Sequence, residues 1–178
     1  AAVHSVNDLL EYAVGVDVRQ RGEFGVQTDI SVRGGNFDQL TVLLNGVNIS
    51  SPHTGHLTAD FPLTALDIEQ VEVLEGPAAR VFGTSAFTGV INIVTRKPQQ
   101  IGDSSSSNND FGGRGHLYAG SYGYAGADLS LNSAHKMGEG VSLTNLLTGG
   151  YSRSDGATPN SDFGSTRIFY QGSLKKDE

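Results

Sequence analysis

Two stretches of this chain hold the side chains best suited to gripping a small molecule. One is Arg19–Gln27, RQRGEFGVQ, and the other is Ile49–Phe61, ISSPHTGHLTADF. Arg19, Gln20, Arg21, Phe24, His53, Thr54 and His56 offer charge, amide, hydroxyl, imidazole and aromatic groups, a mixture suited to polar and stacking contacts. Loops on a rigid scaffold commonly carry binding, although the same residues also make ordinary solvated loops. His53 and His56 raise the question of a metal. A helix would bring two histidines three apart together, but Pro52 and Gly55 mark a loop here. Zinc normally takes three or four ligands, and only Asp60 is near, so no metal site is expected. Covalent chemistry finds no foothold. There is no cysteine, no G-x-S-x-G elbow, no H-E-x-x-H pair and no triad spacing. Gly34-Gly35-Asn36 lacks the spacing of a P-loop or a dinucleotide fingerprint and reads as a structural turn. The expected chemistry is binding, without catalysis and without a cofactor.

These stretches must be held by folded elements, and the sequence supplies them in two parts. Residues 1–98 mix short helices with short apolar strands, giving a small α+β core. Ser5 can cap a helix over 6–14, with Asp8 in its first turn. Val6, Leu9, Leu10 and Ala13 form its apolar face, and Gly15 closes it as a left-handed cap. A second helix fits 77–82, with Pro77 in the first turn and Gly83 just past the end. Strands are expected over Asp29–Val32, Gln39–Leu44, Ile68–Leu74 and Val90–Thr95, with an Asn-Gly turn at Asn45-Gly46. Gln99 to Asp110 contains SSSSNND and has the composition of a flexible linker. The net charge of −7 over 178 residues argues against a nucleic-acid partner or a polybasic membrane anchor.

Residues 111–178 alternate in polarity. Ala125, Ala127, Leu129 and Leu131 lie on one face, with Gly126, Asp128, Ser130 and Asn132 on the other. Val141, Leu143, Leu147 and Tyr151 oppose Ser142, Thr144, Thr148 and Ser152, with Asn145 and Leu146 on the wrong faces. Ile168, Tyr170 and Leu174 oppose Arg167, Gln171, Ser173 and Lys175, and Phe169 breaks the pattern. One lipid face and one aqueous face demand such a period in a membrane barrel, whose tilted strands need roughly ten residues. Tyr118, Tyr122, Tyr124, Tyr151 and Tyr170 read as an aromatic girdle near strand ends. A soluble sandwich would alternate in the same way.

What separates these readings is a set of motifs in the first part: VRGG (Val32–Gly35), VLLNGV (Val42–Val47), IEQVEVLEGPAARVFG (Ile68–Gly83) and GVINIVTRKP (Gly89–Pro98). In this order and spacing they resemble the plug domain of TonB-dependent outer-membrane receptors. The resemblance covers about two thirds of residues 1–98. It implies an α+β plug over 1–98 with a truncated N-terminus, a linker over 99–110, and the first antiparallel strands of a barrel of roughly 22 strands over 111–178. It implies the outer membrane of a Gram-negative bacterium and active transport of a scarce nutrient. The two polar stretches would then be apical loops contacting ligand. PHTGH and VRQRGEFGVQ are also similar to vitamin B12 receptors of Bacteroidetes type, so cobalamin stands beside a ferric siderophore as the expected cargo.

Arg33, Glu69, Glu72, Glu75 and Arg80 are the charges within the motifs, expected to pair either with the barrel wall or inside the plug. Glu75 stands where the family often has Arg before Gly-Pro, so its partner should differ. The expected partners are TonB with its inner-membrane ExbB/ExbD motor, the nutrient, outer-membrane lipid and a surface lipoprotein, with no nucleic acid. The alternatives are an adhesion receptor for a surface partner on the same architecture, and a soluble glycan-binding β-module.

Overall fold

A computed structural model describes residues 5–20, 28–35, 39–49, 61–76, 81–82, 86–97, 109–138 and 140–176. The helix α1 (Val6–Glu11) starts where the sequence says it must. Ser5 Oγ accepts from Asp8 N at 3.2 Å, and Ser5 N donates to the Asp8 carboxylate at 3.0 Å, a reciprocal capping box. The helix stops three residues earlier than expected. Tight bonds from Tyr12 N and Ala13 N to Leu9 and Leu10 carbonyls close its last turn, and Gly15, at φ +80°, turns the chain. Val6 and Leu10 are buried on its inner side. The second helix expected at 77–82 falls largely outside the described residues.

Strands β1 (Val16–Gln20) and β2 (Thr28–Val32) pair antiparallel beneath the helix. A second sheet has the order β4-β3-β6-β5, from β3 (Leu40–Leu44), β4 (Val47–Asn48), β5 (Ile68–Glu75) and β6 (Gly89–Thr95). β3 and β6 are parallel and central. Their apolar runs LTVLL and VINIV suit strands covered on both faces. β3 turns into β4 through Asn45 and Gly46, both at positive φ, as a two-residue hairpin requires. The Asn45 amide also reaches β6, donating to Thr95 Oγ1 at 2.8 Å and accepting from Thr95 N at 2.9 Å. Leu10, Ile30, Val32, Val42, Leu63, Ile91 and Ile93 form the core between these layers.

The second part is a meander of four long strands, β7 (Asn109–Ala119), β8 (Ala125–Lys136), β9 (Val141–Ser154) and β10 (Phe163–Lys176). Each pairs antiparallel with its chain neighbour, and the sheet is not closed. β7 begins at Asn109, two residues before the expected start of the second part at 111. The two-residue period decides which side chains face in. Asp128, Ser130, Thr144, Thr148 and Ser152 are buried, whereas Leu117, Leu129, Leu147, Tyr151, Ile168 and Leu174 stand exposed on the opposite face.

The three departures from alternation have physical causes. Leu146 is buried on the inner face, and Phe169 packs from that face against the core of the first part, so the inner face is partly dry. Asn145 sits on the outer face, where its amide donates to Ser133 Oγ at 3.3 Å and accepts from Tyr170 OH at 2.9 Å. Those bonds satisfy a polar group among apolar neighbours. The tyrosine girdle needs correction. Tyr118 is buried on the inner face, with its ring 5.5 Å from Tyr124, and Tyr170 lies mid-strand.

Candidate functional site

The site that the fold builds most completely is the seam between the first part and the meander. A 3-10 turn, Ala65–Asp67, leads into β5 and lies against β8 and β9. The turn arises locally. In the sequence Thr64-Ala-Leu-Asp67, the carboxylate folds back to accept from Thr64 N at 2.8 Å and Thr64 Oγ1 at 3.0 Å. Asp67 is fully buried, and Thr148 on β9 donates its hydroxyl to the other carboxylate oxygen. Ser130 Oγ on β8 lies 3.0 Å from Thr148 Oγ1. Thr148 has one proton and gives it to the carboxylate, so Ser130 must donate to Thr148. A second bridge forms nearby, where the Thr95 hydroxyl at the end of β6 donates to Gln171 Oε1 on β10 at 2.8 Å.

Beside the turn runs a row of paired residues on the inner face: His116, Asp128, Gly150 and Arg167, one from each strand. Asp128 reaches across Gly150 to Arg167, with 3.6 Å between charged atoms, and both side chains are largely buried. Arg167 Nη2 also donates to Tyr118 OH at 3.1 Å. Gly150 must lack a side chain. A Cβ there would meet the Asp128 carboxylate and stand 2.9 Å from Thr64 Cγ2. In the turn between β7 and β8, burial pushes the Tyr124 phenol up to about 12, and the nearby Tyr118 adds to the shift.

The expected charged residues distribute differently. Arg33 pairs with Glu75 inside the first part, joining the ends of β2 and β5. Arg33 is mostly exposed, so the pair contributes under about 1 kcal/mol. Glu72 accepts from Gln70 and Asn92 at 2.7 and 2.8 Å, again within the first part. Glu69 lines a cleft of about 280 Å³ at the seam, with Arg96 and Lys97 from one side and Arg114 from β7 on the other. Arg19 and Gln20 belong to strand β1 and not to a loop, because β1 runs to Gln20. Arg19 is exposed and pairs with Asp17 at 2.8 Å. Arg21, Phe24, His53, Thr54, His56 and Arg80 lie outside the described residues.

Sequence reasoning missed Asp67, Thr148 and Gly150 as a unit. The alternation put Thr148, Ser130 and Asp128 on one face but labelled that face aqueous. Thr64-x-x-Asp67 carried a capping-box signal that went unread.

An α+β unit seated on the polar face of an open meander whose other face is apolar defines a class: a barrel receptor with an internal plug. A family model described as TonB-dependent Receptor Plug Domain matches residues 1–90. The chain belongs to this family of receptors, which resides in the Gram-negative outer membrane. Its fold is similar to that of three solved proteins. The siderophore receptor PirA from Acinetobacter baumannii is 22% identical with a TM-score of 0.60, over 86% of this chain and 22% of that one. The ferric yersiniabactin uptake receptor FyuA from Yersinia pestis is 23% identical with a TM-score of 0.57, over 94% and 25%. The copper transporter OprC is 22% identical with a TM-score of 0.64, over 94% and 24%. The chain therefore spans about a quarter of the length of these proteins.

Proposed function

We propose that residues 1–98 are the plug and the strands from β7 onward the first wall segment of a receptor that carries a scarce nutrient inward across the outer membrane. The observation that carries this reading is the two-faced wall. Its inner face grips the plug through Asp67, Thr95 and Phe169, while Leu117, Leu129, Ile168 and Leu174 stand exposed on the other. A soluble glycan-binding module would bury such a face, whereas lipid covers it without penalty.

A plug seated in the wall blocks passage, so transport requires work to shift it. The outer membrane has no ATP, and the partner that supplies the work is TonB, driven by the ExbB/ExbD motor. The cargo is a ferric siderophore or cobalamin, contacted by Arg19, Gln20, Arg21, Phe24, His53, Thr54 and His56. A surface lipoprotein covering the barrel belongs to the same reading.

Uptake of labelled cobalamin and of a ferric siderophore by cells carrying the full-length receptor, with and without TonB, tests it. TonB-dependent uptake of either, weakened by Arg21→Ala or His56→Ala, is the expected result. Cargo that binds but never enters with TonB present would leave an adhesion receptor in its place.

A further inference from the structure

We infer that the Thr64–Asp67 turn is the catch holding the plug to this stretch of wall, and that a hydroxyl relay fastens it where ion pairs were expected. Asp67 is a charged plug residue with no exposed surface. Of its two carboxylate oxygens, one serves the turn and the other receives the Thr148 proton, with Ser130 donating to Thr148 from behind. Among the described charges of the plug motifs, Arg33 and Glu75 act on each other and Glu72 on Asn92, all within the first part.

While the turn is seated, both carboxylate oxygens of Asp67 have donors. Lifting it off Thr148 returns the carboxylate to water. A buried ionised oxygen left without a donor is not stable, because its desolvation is uncompensated. Loss of the Thr148 donor therefore drives the turn off the wall. The Thr64 methyl over Gly150 fixes where the turn lands. This inference rests on the transport reading only in assigning the seam as one that opens. The contact itself is tested without transport.

The test uses the full-length receptor carrying Ala65→Cys, in cells lacking TonB, with the rate of maleimide labelling as readout. Thr148→Val removes the donor at constant shape, and Thr148→Ser keeps it. Labelling in the Val variant should rise at least about tenfold, the low end of what loss of a hydrogen bond to a charged group produces. The Ser variant should stay near the parent. Ser130→Ala, which removes the proton that Thr148 receives, should give a smaller rise and guards against a Val variant that does not insert. Equal labelling in all inserted variants overturns the inference, as does a rise in Ser130→Ala while an inserted Thr148→Val variant labels at the parent rate, since Thr148 is the residue that touches Asp67. Failure of nutrient uptake would leave these rates unchanged, so the two readings fail separately.

Discussion

Gly149 and Gly150 are neighbours on β9, yet alanine should act on them with opposite sign. A methyl at 149 points to the outer face, where nothing lies within 4 Å. It gains the backbone term alone, about 0.5–1 kcal/mol for replacing glycine in a strand. A methyl at 150 points into the seam, against the Asp128 carboxylate, 2.9 Å from Thr64 Cγ2 and 3.4 Å from Arg167 Nε. These neighbours cannot retreat freely, because Thr64 is tied to Asp67 and Asp128 to Arg167. Forcing a methyl into a packed site costs about 1–3 kcal/mol. The backbone term is common to both variants, so their difference isolates the clash. Gly149→Ala should exceed Gly150→Ala in stability by about 1–3 kcal/mol, with Gly150→Ala below the parent. Urea titration of the full-length receptor in detergent, followed by far-UV circular dichroism, measures both midpoints. A Gly150→Ala variant as stable as Gly149→Ala would refute the packing of the seam described above.

The remaining predictions concern charge. Asp128→Asn leaves Arg167 facing the seam without its carboxylate and should destabilise by about 3 kcal/mol, the low end for a buried pair because Arg167 keeps some exposure. The double variant Asp128→Leu with Arg167→Met should recover most of that in the same titration, and no recovery would mean the pair is not the cause. Tyr124 predicts an alkaline effect. Its folded pKa is raised from 10.0 to about 12, so the neutral phenol is favoured. That stabilisation is fully present below pH 10.0 and is lost as pH rises through about 12. The absorbance difference at 295 nm between the parent and Tyr124→Phe should show its phenolate step near pH 12, and a step near 10.0 would contradict the burial.

How much of this was legible beforehand depends on the range of the interaction. The Ser5 cap with Asp8 in the first turn and the Asn45-Gly46 hairpin were readable because each closes within four residues. Strands β2, β3, β5 and β6 and the alternation of the meander were readable because apolar runs and a two-residue period are local patterns, whereas β1, whose end reads as a loop in the sequence, was not. The Glu75 departure from the family was also visible, although its partner, Arg33, required the fold to bring the ends of β2 and β5 together.

The sequence by itself determined the family and the faces of the wall strands, since four ordered motifs and a two-residue period broken at few positions leave few alternatives. Tertiary structure alone decided what the inner face meets. Leu146 and Phe169 look like errors of alternation until the plug arrives to cover them. Asp67 looks like any surface acid until Thr148, far along the chain, donates its proton. Gly150 looks like a dispensable glycine until Asp128 and Thr64 occupy the space its side chain would need. Each depends on partners dozens of residues away, and no local pattern records a contact that only the docking of two surfaces creates.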